Sequence, residues 1–202
     1  MSATGGSLEG IEACVFDAYG TLFDVHSAVA ACAARVGPRH AVLSAEWRRR
    51  QLEYTWIRSL MGAHADFHRV TADALSVSLA ELGLDADTLH EPLMNAYMTL
   101  EAFPEVPGTL ALLGRAGLRR AILTNGTPGM IDAAVTNAGI AASLEHCLSV
   151  ESVGIYKPDP RVYALAAEAL DLVPERIAFL SSNAWDAAGA ARFGFRVVWV
   201  NR

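Results

Sequence analysis

The chain has 202 residues, 52% of them hydrophobic, with a mean hydropathy of +0.26 and a net charge of −6. That length supports one full core, or one core with an inserted subdomain, and that hydrophobic fraction excludes a disordered chain. The negative charge gives no electrostatic reason to expect nucleic acid or an anionic membrane as a partner. Met1 to Gly10 is small and polar, without a basic region or a long apolar run, so it reads as neither signal peptide nor membrane anchor. Three cysteines (Cys14, Cys32, Cys147) show no paired or metal-ligand spacing. Reduced thiols and a cytoplasmic location are the expectation.

Ile11 to Phe16 reads as a short buried strand. A helical block with no strand pattern follows, from about His26 to Glu101. In it, Ser44 is placed to cap a helix running to about Met61 and ended by Gly62. Asp66 is placed to cap the next, which Gly83 ends. A fourth runs from about Asp87 to Glu101, and Pro92 interrupts it unless it sits in the first turn. Pro104 and Pro107 then form a stiff connector.

Beyond the connector the pattern alternates. Helical stretches at 109–116, 128–138, 159–170 and 184–193 separate strands at 120–124, 147–149, 177–181 and 197–200. Alternation of this kind implies βαβ units and a parallel sheet. The predicted fold is α/β: a Rossmann-like parallel sheet with helices on both faces and an all-helical cap inserted after the first strand. The boundaries are 1–25 and 103–202 for the core and 26–102 for the cap. The sequence ends at Asn201-Arg202, right after its last predicted strand, so either trimming or a missing closing element is expected there.

Asp17 follows the first strand and is itself followed by a Gly turn, in Phe16-Asp17-Ala18-Tyr19-Gly20-Thr21. Open parallel sheets place their chemistry at such strand ends. Three more segments fall at strand ends: Thr124-Asn125-Gly126, Lys157 with its neighbours, and Ser181 to Asp186. One edge of the sheet thus collects a carboxylate, a hydroxyl and amide pair, an ammonium and a second carboxylate.

These segments resemble the motifs of L-2-haloacid dehalogenases, within the haloacid dehalogenase superfamily. The resemblance covers Phe16 to Val25, Leu123-Thr124-Asn125-Gly126, Tyr156-Lys157-Pro158-Asp159-Pro160 and Ser181-Ser182-Asn183-Ala184-Trp185-Asp186. It extends to Trp47-Arg48-Arg49-Arg50-Gln51-Leu52-Glu53-Tyr54 in the helical block. The first and last core segments are specific to that family; Lys-Pro-Asp-Pro is shared across the superfamily.

The resemblance implies that Asp17 attacks carbon 2 of a short 2-haloalkanoic acid, expels halide and forms an ester. Water then attacks the Asp17 carbonyl carbon and releases a 2-hydroxy acid, inverted at carbon 2. It implies no metal and no organic cofactor. Lys157 keeps Asp17 charged in a dry site. Thr21 orients the carboxylate, and Thr124 and Asn125 offer donors to the substrate carboxylate. Asp186 activates the hydrolytic water, with Ser181 and Asn183 ordering the site. Arg48 matches the halide acceptor, because a guanidinium stabilises the charge that grows on the leaving halide. Tyr19, Leu52, Phe67, Tyr163 and Trp185 are the expected substrate contacts. Arg48, Leu52 and Trp56 share one helical face at i, i+4 and i+8.

Two departures from the family pattern stand out. Thr124 takes a position often held by Ser, which keeps the hydroxyl and adds a methyl. Arg49 takes one often held by Gln, and both Arg49 and Arg50 read as solvated. A phosphatase of the same superfamily is the first alternative. Its chemistry needs Mg²⁺ among several acids, whereas Tyr19 stands where such enzymes carry a second Asp, and Ser182-Asn183 where they carry Gly-Asp. A non-catalytic protein retaining the fold is the second. His64 and His68 at i, i+4 read as helix-face residues, not metal ligands. Trp47 and Trp56 read as packing anchors, and Asp24 as a hinge or cap. The Tyr54, Ile57 and Met61 face leaves a homodimer open.

Overall fold

The structure is a computed structural model that describes residues 9–202. Most of the polar N-terminal segment therefore lies outside the described residues. Five strands form one parallel sheet: β1 (Ala13–Phe16), β2 (Arg119–Thr124), β3 (His146–Ser149), β4 (Ile177–Ser181) and β5 (Arg196–Trp199). Their order is β3-β2-β1-β4-β5, which puts the first strand at the centre. All four β1 residues are buried. Successive strand side chains point to opposite faces, so both faces of the sheet are covered at its centre. The edge strand β5 is instead exposed at both ends.

Register decides where the strand ends meet. Phe16 pairs with Ile122 on one side and Leu180 on the other, and Thr124 pairs with Ser149. Asp17, Thr124 and Ser181 therefore emerge along one edge.

After β1 comes a run of helices with no named strand among them: α1 (Ser27–Ala31), α2 (Ala33–Val36), α3 (His40–Met61), α4 (Phe67–Glu81) and α5 (Ala86–Met98). The remaining helices, α6 (Val106–Arg115), α7 (Pro128–Asn137), α8 (Pro160–Leu170) and α9 (Ala184–Phe193), alternate with the strands. Where the chain leaves and re-enters the sheet layer, Asp24 N–H donates to the Glu101 carbonyl (2.8 Å) and Phe103 N–H to the Leu22 carbonyl (3.0 Å). Asp24 Oδ1 also accepts from His26 N–H at 2.8 Å, so its part is to shape this crossing.

Several helix boundaries differ from expectation. α3 begins at His40, not after Ser44, because a 3₁₀ turn at Gly37–Arg39 feeds straight into it. Ser44 is buried, with its hydroxyl 2.7 Å from His26 Nδ1. Gly62 ends α3 at φ 64°, a left-handed conformation that glycine adopts without steric cost. Asp66 caps α4 by accepting from Arg69 N–H (2.8 Å). Asp85, two residues earlier than expected, caps α5. Pro92 sits inside α5, where it removes the N–H that would otherwise meet the Thr88 carbonyl. The short helices α1 and α2 carry no side-chain caps and no sequence signal strong enough to separate them. No helix among the described residues is long and apolar enough to cross a membrane.

Candidate active site

Asp17 leaves β1 with its side chain 7% exposed. Its two oxygens are treated differently. Oδ2 accepts from Asn183 Nδ2 at 2.7 Å, from the Thr21 hydroxyl at 2.9 Å and, at longer reach, from Ser181 Oγ at 3.4 Å. Oδ1 accepts from Lys157 Nζ at 3.0 Å. Oδ1 is thus the oxygen with a lone pair left for attack. Gly20, at φ 89°, makes the turn that brings Thr21 back under the carboxylate.

Lys157 is fully buried and bridges two acids, donating also to Asp186 Oδ2 at 2.8 Å. Burial alone would lower its pKa; Asp17 and Asp186 together outweigh that and hold it above the ordinary lysine value. Asp186 is pushed up to about 6, chiefly by burial and further by Asp17, against the pull of Lys157. A single ammonium between two carboxylates leaves one negative charge over, and burial with Asp17 nearby makes Asp186 easier to protonate than an ordinary aspartate.

Arg48 projects from α3 into the same space. Its guanidinium donates to Gln51 Oε1 (2.8 Å), to the Tyr19 carbonyl (3.0 Å) and to Asn183 Oδ1 (3.4 Å). All three acceptors are neutral, and Arg48 makes no ion pair among the described residues, so its charge is available to an anion. Arg49 is exposed between Glu46 and Glu53. Arg50 is not solvated as expected: its side chain is 14% exposed, it pairs with Glu81, and its Nε is buried without a hydrogen-bond partner among the described residues.

A small cavity of about 10 Å³ remains among Asp17, Tyr19, Arg48, Leu52, Phe67, Asn125, Asn183 and Trp185. It has room for roughly one water-sized body. Tyr19, Arg48, Leu52, Phe67 and Trp185, all singled out in the sequence, are brought together on its walls. Asn125 Oδ1 is taken by the Lys157 N–H (3.2 Å), which leaves its NH₂ end as the donor.

Two expected contacts lie elsewhere. Thr124 is fully buried beneath the turn, where its hydroxyl accepts from Gly126 N–H at 3.0 Å; it lies outside the cavity wall. Tyr163, one turn into α8, is also fully buried, and its hydroxyl donates to Asp186 Oδ1 at 2.8 Å. It faces Asp186 and is not among the residues that line the cavity.

Some contributors have no role assigned from the sequence, although Gln51 and Ser182 fall within its motif segments. Gln51, fully buried, receives Arg48 and donates to the Thr71 hydroxyl (2.7 Å). Its i+3 spacing from Arg48 was the available signal. Tyr97 stacks on Tyr19 with centroids 5.7 Å apart and exchanges hydrogen bonds with Gln51. Ser182 donates its N–H to Thr21 Oγ1 (3.0 Å) and its hydroxyl to the Gly20 carbonyl (2.6 Å). Among the described residues no group of three or more His, Cys, Asp and Glu side chains is placed to hold a metal ion. His64 instead faces Glu151 at 3.0 Å, and His68 is exposed.

A family model described as haloacid dehalogenase-like hydrolase matches residues 11–194. The chain belongs to the haloacid dehalogenase-like hydrolases. This hydrolase is 51% identical over 193 residues to the (S)-2-haloacid dehalogenase of Pseudomonas sp. (strain YL), covering 95% of the chain and 83% of the relative. It is 47% identical to (S)-2-haloacid dehalogenase 4A of Burkholderia cepacia, covering 96% and 85%. Among solved structures, the hydrolase is similar to L-2-haloacid dehalogenase from Xanthobacter autotrophicus with chloropropionic acid covalently bound. That match has 44% identity, a TM-score of 0.89 and coverage of 95% of this chain and 78% of the other.

Proposed function

We propose that this hydrolase converts short L-2-haloalkanoic acids to D-2-hydroxy acids and halide through an ester on Asp17. The observation that carries the reading is the placement of a buried, lysine-held carboxylate and an arginine without a carboxylate partner around one small cavity. Relatives named as 2-haloacid dehalogenases, one of them solved with chloropropionic acid covalently bound, support the same reading.

In the first step an Asp17 oxygen forms a bond to carbon 2 while the carbon–halogen bond breaks. The electron pair leaves with the halide towards Arg48. Thr21, Asn183 and Lys157 hold the attacking carboxylate in one orientation, which lowers the entropic part of the barrier. Asn125 offers its NH₂ to the substrate carboxylate. The apolar wall of Tyr19, Leu52, Phe67 and Trp185 keeps water off the nucleophile. In the second step water attacks the Asp17 carbonyl carbon and gives its proton to Asp186, which Lys157, Ser181 and Tyr163 orient. The ester bond breaks, Asp186 returns its proton to the departing alkoxide oxygen, the regenerated Asp17 carboxyl gives its proton to solvent, and the hydroxy acid leaves with inverted configuration. Every bond and proton is accounted for without a metal or organic cofactor.

Residues 1–25 and 103–202 form the core in this reading, and 26–102 the cap that brings Arg48, Leu52 and Phe67 to it. The exposed Ile57 and Met61 beside Tyr54 support a homodimer through α3, which light scattering would test. A cytoplasmic location fits the free thiols.

The deciding experiment is halide release with chiral product analysis on L- and D-2-chloropropionate, with EDTA present, for wild type and Asp17→Asn. Chloride and D-lactate from the L-substrate alone, lost in the variant, is the expected result. No chloride from either enantiomer by folded protein would overturn the reading.

A further inference from the structure

The catalytic cavity holds about one water-sized body as it stands, and a larger apolar groove begins behind its Trp185 wall. The groove has a volume of about 330 Å³ and is lined by Trp56, Ser59, Leu60, Ile155, Tyr156 and Pro158, among others. It runs between the C-terminal half of α3 and the loop that carries Lys157. Trp56 is two helical turns beyond Arg48 on the same α3 face, with Leu52 between them. Its ring meets Trp185 edge-on, with centroids 5.5 Å apart and planes at 78°. Trp185 lines the catalytic cavity and Trp56 the groove, so this ring pair is the partition between them.

Two details mark Trp56 as more than packing. Its indole N–H is buried with no hydrogen-bond acceptor among the described residues, a cost that a phenylalanine or leucine would avoid. That donor is available to a carboxylate passing the partition. The one acid on the groove lining, Asp159, is already paired with Arg161 at 2.9 Å, so it offers little repulsion to an incoming anion.

We infer that the groove is the subsite for the alkyl tail of longer 2-haloalkanoic acids, and that Trp56, with Trp185, sets the chain length that passes. The inference rests on the dehalogenase reading of the cavity. The carboxylate and halogen end of the substrate occupies the cavity beside Asp17 and Arg48. The tail displaces the Trp56 ring and lies along Leu60 and Ile155. Burying each further methylene there strengthens transition-state binding by roughly fourfold where the groove is open to it.

The test is a chain-length series of L-2-bromoalkanoates, from propionate to octanoate, on wild type, Trp56→Ala and Leu60→Glu. The quantity read is the ratio of kcat/KM for octanoate to that for propionate. Trp56→Ala is expected to raise this ratio at least about tenfold by opening the partition. Leu60→Glu, on the exposed wall of the groove, is expected to lower it about tenfold by placing a charge against the tail. A ratio unmoved by Leu60→Glu overturns the inference, whatever Trp56→Ala does to folding. Wild type inactive even on the propionate substrate would overturn the dehalogenase reading itself; wild type active with ratios alike in all three proteins would overturn the tail subsite alone.

Discussion

Lys157 holds Asp186 at 2.8 Å with neither side chain exposed to solvent. The contact does more than neutralise charge. Asp17 and Asp186 compete for the same ammonium, and burial pushes Asp186 up to about 6 with Asp17 adding to the rise. Once Asp17 is esterified it carries no charge, and that second cause disappears. Asp186 then titrates lower than in the free enzyme and is ionised when water attacks. The hydrolysis step should therefore be flat at neutral pH and fall about tenfold per pH unit on the acid side, with a midpoint below about 6. Single-turnover decay of the ester, followed by mass spectrometry across acid and neutral pH, checks this. A rate that rises as pH falls would remove Asp186 as the proton acceptor.

Removing the ammonium tests the other half of the pair. Lys157→Met keeps the length of the side chain but leaves two buried carboxylates without a counter-charge. Breaking a buried pair in this way costs about 3–5 kcal/mol, because one charge stays behind uncompensated. The expected outcome is a clearly lowered melting temperature and a loss of halide release of at least about a thousandfold. Lys157→Met at wild-type stability would mean that the acids take up protons when the lysine is gone. Repeating the melt at lower pH, where both acids are protonated, should shrink the difference.

The core was legible because its signals are strong and local. β1 is a four-residue apolar run ending at Asp17, and the alternation after Pro107 has one reading as a parallel sheet. Strand ends then meet at one edge whatever the details of the helices, so Asp17, Lys157, Ser181, Asn183 and Asp186 could be grouped from spacing. Contacts that depend on which way a buried side chain turns were not legible. Thr124 and Tyr163 sit at positions facing the site in sequence, yet a backbone N–H draws the threonine hydroxyl beneath the turn and the Asp186 carboxylate draws the tyrosine hydroxyl behind it. Gln51 and Tyr97 come from two helices 46 positions apart, and their mutual hydrogen bonds exist only once α3 and α5 are packed.

Tyr19 gives a case where shape and hydrogen bonding can be separated. Its hydroxyl is buried with no partner among the described residues, while its ring lies between Phe67 and Tyr97. A Cβ added at Gly126 would come within 2.7 Å of Tyr19 Cε2. Glycine at 126 is thus required by the close approach of the ring. Tyr19→Phe should retain activity within about threefold and gain up to about 1 kcal/mol of stability, since it removes an unsatisfied polar atom. Gly126→Ala should displace the ring and cost roughly 10–100-fold in kcat/KM. Steady-state kinetics on both variants decides; a large loss in Tyr19→Phe would mean that the hydroxyl meets the substrate.

Glu151 ties the helical block to the sheet edge from the opposite direction. One of its oxygens accepts from the Phe67 N–H (3.3 Å) and the other lies 3.0 Å from His64 Nε2. Phe67 opens α4 and lines the catalytic cavity, so Glu151 acts on the cavity through it. Losing such a contact at a helix N-terminus costs about 1 kcal/mol. For a chain of this size that corresponds to a melting temperature about 2–4 °C lower in Glu151→Ala. A looser Phe67 should raise KM more than it lowers kcat, because binding suffers before the chemistry at Asp17 does. Glu151→Gln, which keeps an acceptor for the Phe67 N–H, should restore most of the KM. Equal losses in both variants would instead place the effect in the His64 contact, where an amide nitrogen cannot accept as the carboxylate oxygen can.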